Sequence, residues 1–210
     1  MIFDEGGVRG FLHLPGKANA DGVVLAHGAG ANCEARLLVE MSKALAEAGF
    51  TVLRYDLPFR RERPKGPPPF GGAALDRYGV RKAIEAMRGK VRGRIFAGGH
   101  SYGGRQTSML IAEEPGLADG LLLLSYPLHP PRKPGELRTK HFPELRKAAF
   151  FVHGTRDPFG TIKEMKAALQ LIPGRTELFE VVNAGHDLGE RDCGEVVASF
   201  AGFVGPVVRT

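Results

Sequence analysis

The chain has 210 residues, of which 43% are hydrophobic and 25% are charged, which is typical of one globular domain spanning residues 1–210. No apolar run approaches the length of a membrane span, and the acidic N-terminus lacks the pattern of a secretory signal, so we expect no membrane partner and a cytoplasmic location. The formal net charge is +6, but no recognition motif accompanies it, and we therefore expect no nucleic-acid partner.

Cofactor chemistry has no sequence signature in this chain. Cys33 and Cys193 are too few for a disulfide framework, which agrees with a reducing compartment. Zinc-ligand spacing, the Walker A motif and G-x-G-x-x-G are all absent from the sequence. We therefore predict no metal, no nucleotide and no organic cofactor.

Short apolar runs with the character of strands recur along the chain. Residues 8–14, with the preceding IFDEGG, are predicted to form an antiparallel hairpin at one edge. The runs that follow mostly lack polar alternation, as expected of strands that are covered on both faces. They lie at 23–26, 51–54, 95–97, 121–124, 150–152 and 178–182.

The segments between these runs have the periodicity of amphipathic helices. The first spans 33–48, with Asn32 as the predicted N-cap and Gly49 as its stop. A later helix begins at the capping-box sequence 161–164 and ends before Pro173. The others are predicted at 73–88, 101–113 and about 188–204. This alternation predicts an α/β protein with a mostly parallel sheet.

The stretch GGHSYGG at 98–104 encloses a serine between glycines, after a strand and before a helix. Gly99, Ser101 and Gly103 match the G-x-S-x-G pattern in the strand–turn–helix context that it requires. A serine on such a sharp turn needs small neighbours, and the helix behind it directs its positive end at developing negative charge. The pattern therefore predicts Ser101 as a nucleophile.

A serine nucleophile requires a base and an acid that orients the base. In serine hydrolases with this turn, the acid and then the histidine follow the serine along the chain. Asp157 lies just past one later strand, and His186 lies in a glycine-flanked loop past the next. We predict these two as acid and base, with Asp187 and Asp56 as weaker alternatives for the acid.

The reaction also requires two N–H groups directed at the oxyanion of the tetrahedral intermediate. One is predicted to be the main-chain N–H of Tyr102, directly after the nucleophile. The other is expected in the loop HGAGAN at 27–32, whose small residues permit close approach of the main chain. We assign it to Ala29, with Gly30 as the fallback and as a pocket residue.

Two further side chains are candidates for a substrate pocket. Arg105 lies four residues after the nucleophile and could meet a substrate carboxylate, although a structural ion pair beneath the site is the stronger alternative. His129 lies in the loop after the strand at 121–124. It is predicted either to line the pocket or to lie on the surface. The segment between the strands at 121–124 and 150–152 is too short to contain a lid domain. The site is therefore expected to be open, which favours small or accessible acyl substrates.

The sequences HGAGAN, GGHSYGGRQTSM, YPLHPP and HGTRDPFG resemble small α/β-hydrolases over essentially the whole chain. They are most similar to the dienelactone-hydrolase-like branch, which includes the testis-expressed and NSL-complex hydrolase-like proteins. The resemblance implies a three-layer sandwich around an eight-stranded sheet with a possible reduction of the first strand, no large lid, and a triad of Ser101, Asp157 and His186. Dienelactone hydrolases use a cysteine nucleophile, so dienelactone itself is not the expected substrate.

The predicted function is a serine hydrolase acting through an acyl-enzyme, with a carboxylic ester or thioester of a small molecule as substrate. A peptidase or amide hydrolase would use the same triad and differ only in its pocket. A non-catalytic interaction protein is the other alternative, with the basic segments 60–65 and 132–140 as contact surface. The sequence gives no prediction of oligomeric state.

Overall fold

Strands and helices alternate through residues 1–189 and 193–206, the part of the chain that the computed structural model describes. The strands are Ile2–Glu5 (β1), Val8–His13 (β2), Gly22–Ala26 (β3), Thr51–Tyr55 (β4), Ile95–His100 (β5), Gly120–Leu124 (β6), Ala148–Gly154 (β7) and Thr176–Val181 (β8). The helices are Arg36–Glu47 (α1), Pro58–Glu62 (α2), Ala73–Arg88 (α3), Tyr102–Glu113 (α4), Ile162–Leu169 (α5) and Cys193–Val204 (α6), with a 3₁₀ turn at Phe142–Glu144.

All eight strands form one sheet in the order β1-β2-β4-β3-β5-β6-β7-β8. Strands β3 to β8 pair in parallel, whereas β1 pairs with β2 and β2 with β4 in antiparallel fashion at one edge. Every residue of β3, β4 and β6 is buried, because helices cover both faces of the sheet. The predicted mostly parallel sheet and its antiparallel edge hairpin are therefore confirmed.

Two apolar layers hold the helices against the sheet. Helices α3, α4 and α5 pack on one face, and α1 and α6 pack on the other. On the second face the ring of Phe200 lies 5.8, 5.3 and 5.8 Å from the ring centroids of Phe50, Phe96 and Phe150. This aromatic cluster anchors α6 to the centre of the sheet and completes a three-layer sandwich.

The start of α1 differs from the prediction. Asn32 is not its N-cap, because its side-chain Oδ1 accepts a hydrogen bond from the Glu34 N–H at 2.9 Å in a turn before the helix. Ala35 is still extended, with φ −52° and ψ 131°, and the helix begins only at Arg36. The helix nevertheless stops before Gly49, whose φ of +98° is a left-handed conformation that favours glycine.

Other helix bounds are shorter than the sequence indicated. Helix α5 has its predicted capping box, with the Glu164 N–H donating to Thr161 Oγ1 at 3.2 Å, but it ends at Leu169. Helix α6 begins at Cys193, and part of its predicted first turn, 190–192, lies outside the described residues. The sequence did not indicate α2, since five residues are too few for a helical period to be visible.

The loops after β3, β5, β7 and β8 all leave the same edge of the sheet, because these strands run parallel. This is the edge at which open α/β sheets bind ligands. The connection from β6 to β7 contains only the 3₁₀ turn, so no lid domain covers the edge from there. Among the described residues, no helix combines the length and the apolar character needed to cross a membrane.

Candidate active site

Ser101 occupies a strained turn between β5 and α4. Its φ of 50° and ψ of −114° lie in a region that residues with a side chain rarely adopt. The turn is held by the Ser101 N–H, which donates to the Leu124 carbonyl at 2.9 Å, and by the Arg105 N–H, which donates to the Ser101 carbonyl at 2.9 Å. Strain of this kind costs about 1–3 kcal/mol and is concentrated at functional sites.

The glycines on either side of Ser101 are required by close contacts of the main chain. A Cβ on Gly99 would lie 2.1 Å from the Ala26 carbonyl oxygen, and the φ of Gly99 is +147°. A Cβ on Gly103 would lie 2.5 Å from the carbonyl oxygen of His27. The steric reason predicted for these two glycines is confirmed, and both contacts are with the end of β3 and the loop after it.

Substitution of Gly99 therefore has a large expected effect on stability. Gly99→Ala should lower the free energy of unfolding by more than about 3 kcal/mol, because neither β3 nor the φ of residue 99 can relax freely. Urea unfolding followed by circular dichroism measures the change. Gly202→Ala is the matched control, since the added Cβ in α6 meets nothing within 4 Å, and it should be neutral or stabilising. Equal stability of the two variants would contradict this account.

The structure joins Ser101, His186 and Asp157 in one hydrogen-bonded chain. Ser101 Oγ lies 2.8 Å from His186 Nε2, and His186 Nδ1 lies 2.8 Å from Asp157 Oδ2. The Asp157 side chain is fully buried, and that of His186 is 22% exposed. Since Asp157 can only accept when ionised, His186 Nδ1 carries the hydrogen and Nε2 is free to accept from the serine.

Asp157 is oriented by its own loop. Its Oδ1 accepts a hydrogen bond from the Phe159 N–H at 2.8 Å, which leaves Oδ2 directed at His186. His153 Nε2 lies 3.8 Å from Oδ2 but donates to the Gly160 carbonyl at 2.8 Å. Burial lowers the pKa of His153, so this ring is neutral near pH 7 and forms no ion pair with the carboxylate. The charge of Asp157 therefore remains available to His186.

Two aromatic neighbours that the sequence did not indicate fix the position of His186. The ring of Phe159 lies on the His186 ring, with a centroid distance of 4.2 Å and an interplanar angle of 31°. His100 Nε2 donates to the His186 carbonyl at 2.8 Å, and burial lowers the pKa of His100, so its ring stays neutral. Both residues flank predicted motifs, but only the fold brings them to His186.

The alternative acids are engaged elsewhere. Asp187 is exposed, and its Oδ1 accepts from the Gly189 N–H at 3.3 Å within the turn. Asp56 Oδ1 accepts from the N–H of Cys33 at 2.8 Å. The hydrogen-bonding geometry therefore favours Asp157 over both.

The loop after β3 runs directly beside Ser101. A Cβ on Gly28 would lie 2.9 Å from His100 Nδ1 and 3.6 Å from Ser101 Cβ. Tyr102 is the first residue of α4, so its N–H has no acceptor within the helix. Its side chain points away from the turn, since the hydroxyl donates to Asp76 Oδ2 at 2.7 Å. The main chain at Gly28 therefore lies close to Ser101, and the assignment of Ala29 and Tyr102 as oxyanion donors stays a prediction.

The surroundings of Arg105 and His129 differ from the alternatives that the sequence suggested. Within the described residues Arg105 forms no ion pair, and its buried Nε has no hydrogen-bond partner, so the structural ion pair stays a prediction. His129 is buried rather than on the surface. Its Nδ1 donates to the Pro130 carbonyl at 2.7 Å, and its Nε2 lies 3.5 Å from Glu164 Oε2.

A groove of about 510 Å³ borders the site on the side of His100. Its lining includes Ala31, Leu37 and Asp187, which belong to the loops after β3 and β8 and to the start of α1. The predicted pocket residues Gly30, Arg105 and His129 are not among the described residues that line this groove. The groove and the surroundings of Arg105 are therefore separate candidates for substrate contact.

Comparison with known proteins gives one family match and several similar folds. The family described as "Alpha/beta hydrolase domain" matches residues 19–197. Est1E from Butyrivibrio proteoclasticus with bound ferulic acid superposes with a TM-score of 0.76 at 17% identity, covering 95% of this chain and 97% of that one. Dienelactone hydrolase from Anabaena variabilis gives 0.72 at 20% identity, covering 96% and 93%. XC6422 from Xanthomonas campestris, a serine hydrolase without a lid, gives 0.71 at 14% identity, covering 97% and 92%. The predicted relation to dienelactone hydrolase is confirmed at the level of the fold.

Proposed function

Because the chain belongs to the α/β-hydrolase domain family, we propose that it is a serine hydrolase that cleaves carboxylic esters or thioesters of small or accessible acyl groups. The observation that carries this proposal is the unbroken hydrogen-bonded chain from Ser101 through His186 to Asp157. The order of the three residues along the sequence and their positions after β5, β8 and β7 support the same assignment.

In the first half of the reaction, Ser101 Oγ attacks the acyl carbonyl carbon while His186 Nε2 accepts the hydroxyl proton. Asp157 stabilises the imidazolium through Nδ1–H. The tetrahedral intermediate then collapses, and its carbon–oxygen or carbon–sulfur bond to the leaving group breaks as His186 returns the proton to that group. Water attacks the acyl-enzyme in the second half, again with His186 as base, and releases the carboxylic acid and free Ser101.

We assign the oxyanion donors to the N–H groups of Ala29 and Tyr102, with Gly30 as the fallback for the first. The position of the loop beside Ser101 and the free first N–H of α4 support this assignment. The positive end of the α4 dipole adds to the stabilisation of negative charge there.

A fluorophosphonate probe tests the proposed function directly, since it phosphonylates only an activated serine. We expect stoichiometric labelling of the wild-type protein, complete loss of labelling in Ser101→Ala, and hydrolysis of short p-nitrophenyl esters by the wild type alone. Circular dichroism establishes that the variant is folded. A folded wild-type protein that neither labels nor cleaves these esters would exclude catalysis.

We further propose that Arg105 binds a carboxylate on the acyl group. Side chains on a helix lean towards its N-terminus, so Arg105 leans towards the Ser101 end of α4. Burial and the charge of Arg105 lower the pKa of His141 to about 4, so this neighbour is neutral. Burial and, after it, the charge of Arg105 also lower the pKa of Arg138. Two neighbouring cations that form no ion pair with a described carboxylate favour an anionic ligand.

The p-nitrophenyl half-ester of adipic acid and p-nitrophenyl hexanoate test this role, because the two acyl chains have similar length and differ in charge. Arg105→Met should lower the ratio of kcat/KM for the charged over the neutral ester about tenfold or more. An unchanged ratio would assign Arg105 to a purely structural role and leave the substrate class as a neutral acyl group.

A further inference from the structure

Arg60 is a buried arginine whose guanidinium binds main-chain carbonyls of the loop next to the nucleophile. It lies on α2 with 5% exposure. Its Nε donates to the Ala31 carbonyl at 2.7 Å, and its Nη2 donates to the Ala29 carbonyl at 2.9 Å. Nη1 donates to the Arg63 carbonyl and Nη2 also donates to the Gly66 carbonyl, each at 2.9 Å. Four carbonyl oxygens, two of them in the loop 28–31, therefore surround this one cation.

A histidine holds the adjoining peptide group of the same loop. His27 Nε2 can only accept from the main-chain N–H of Leu57, at 3.1 Å, so Nδ1 carries the hydrogen and donates to the Gly28 carbonyl at 2.8 Å. Burial lowers the pKa of His27, which keeps this ring neutral. The ring thus links the loop to the start of α2.

These contacts together hold the two consecutive peptide groups that carry the N–H groups of Ala29 and Gly30. The peptide group before Ala29 contains the Gly28 carbonyl, and the peptide group after it contains the carbonyl of Ala29 itself. Each peptide group is planar, so a hydrogen bond to its oxygen also orients its N–H. His27 therefore holds the plane that carries the Ala29 N–H, and Arg60 holds the plane that carries the Gly30 N–H, which are the two candidate donors of this loop to the oxyanion.

The geometry of a guanidinium is required for this arrangement. Carbonyls two residues apart are bound by Nε and Nη2 of one rigid planar group, whereas the ammonium of a lysine presents its donors from a single point. Burying a cation is costly unless its donors are satisfied, and here four of the five N–H donors bind carbonyls rather than a described carboxylate. The charge also polarises the peptide groups that it binds, which strengthens their N–H groups as donors.

We propose that Arg60 is a positioning residue for the oxyanion hole, acting through the peptide groups on either side of Ala29. This inference rests on the proposed function, because it assumes that an N–H of this loop, that of Ala29 or that of Gly30, receives the oxyanion. It also removes Arg60 from the basic surface at 60–65 that a docking role would use, since its donors are committed inside the protein.

Arg60→Ala tests the proposal, with Arg61→Ala as the matched control. Arg61 is the next residue of α2, is exposed, and donates to the Gly7 carbonyl at the far hairpin. With active sites counted by fluorophosphonate labelling, kcat of Arg60→Ala for a p-nitrophenyl ester should fall about a hundredfold, with KM changed less than about threefold. Arg61→Ala should retain wild-type kcat.

Two further measurements separate positioning from general loosening of the fold. The inhibition constant of a trifluoromethyl ketone, whose serine adduct carries an oxyanion, should rise in parallel with the loss of kcat. Added ethylguanidinium should restore part of the activity of Arg60→Ala, since it can occupy the vacated site. If that variant does not fold, Arg60→Lys replaces it, and a similar loss of kcat is expected despite the retained charge.

The outcomes distinguish the two proposals. Unchanged kcat and unchanged ketone affinity in an active background would overturn the role of Arg60 while leaving the serine hydrolase intact. A lower melting temperature with undiminished kcat per labelled site would assign Arg60 a structural role only, which also overturns the inference. A wild-type protein without labelling or hydrolysis would overturn the proposed function and this inference with it.

Discussion

Replacing His186 by alanine is expected to lower kcat/KM for a short p-nitrophenyl ester about a millionfold, while the protein remains folded. His186 Nε2, at 2.8 Å, is the base with which Ser101 Oγ forms a hydrogen bond among the described residues, and the variant lacks it. A serine hydroxyl that keeps its proton is a poor nucleophile at neutral pH. Initial rates at enzyme concentrations high enough to detect residual turnover measure the loss, and thermal unfolding establishes that the variant is folded.

His141→Gln is a suitable control for this experiment. His141 is also half-buried, but its Nε2 lies 2.8 Å from the hydroxyl of Ser108 rather than from the nucleophile. We expect its kcat/KM to stay within a few-fold of the wild type. A His186→Ala enzyme with more than about a hundredth of wild-type activity would show that another group serves as the base.

Replacing Asp157 by asparagine is expected to lower kcat about ten-thousandfold with little change in stability. The amide oxygen can keep the hydrogen bond from the Phe159 N–H, and the amide N–H₂ then faces His186 Nδ1. An N–H donor at Nδ1 forces the imidazole proton onto Nε2, and a protonated Nε2 cannot accept from Ser101. The loss therefore comes from the tautomer of His186 and not from altered packing.

Asp187→Asn and Asp56→Asn complete the comparison, because these were the alternative acids. Asp187 is exposed, and its variant should keep nearly full activity. Asp56 accepts a hydrogen bond from the Cys33 N–H at 2.8 Å. Asp56→Asn should therefore lower the activity less than Asp157→Asn does. A larger loss in either variant than in Asp157→Asn would reassign the acid.

The local parts of the site could be predicted from sequence because each has a strong local cause. Gly99 and Gly103 are required by contacts under 3 Å with β3 and the loop after it, and this requirement is visible as a pattern within five residues. Asp157 and His186 follow strands whose parallel pairing brings their ends to one edge of the sheet. Chain order and strand type were therefore sufficient to select them.

Contacts between distant segments could not be predicted in the same way. The bond from Arg60 to the Ala29 carbonyl joins residues separated by 31 positions, and sequence offered only a basic run there. Phe159 and His100 stand beside predicted motifs, but their contacts with His186 depend on how three loops pack. The prediction for Asn32 was wrong for a local reason. Its side chain is of a type that caps helices, but it accepts a hydrogen bond from the N–H of Glu34 in the turn before the helix.

The conformation of Ser101 has a consequence for how the protein responds to heat. Its φ of 50° and ψ of −114° are strained, and the hydrogen bonds to the Leu124 carbonyl and within the first turn of α4 maintain them. If these two restraints loosen locally, the Ser101 backbone can move to a more favourable φ and ψ. The same movement does not lower the free energy of the rest of the sheet. We therefore expect turnover to decline several degrees below the temperature at which the secondary structure melts, so that inactivation and unfolding are separate thermal events.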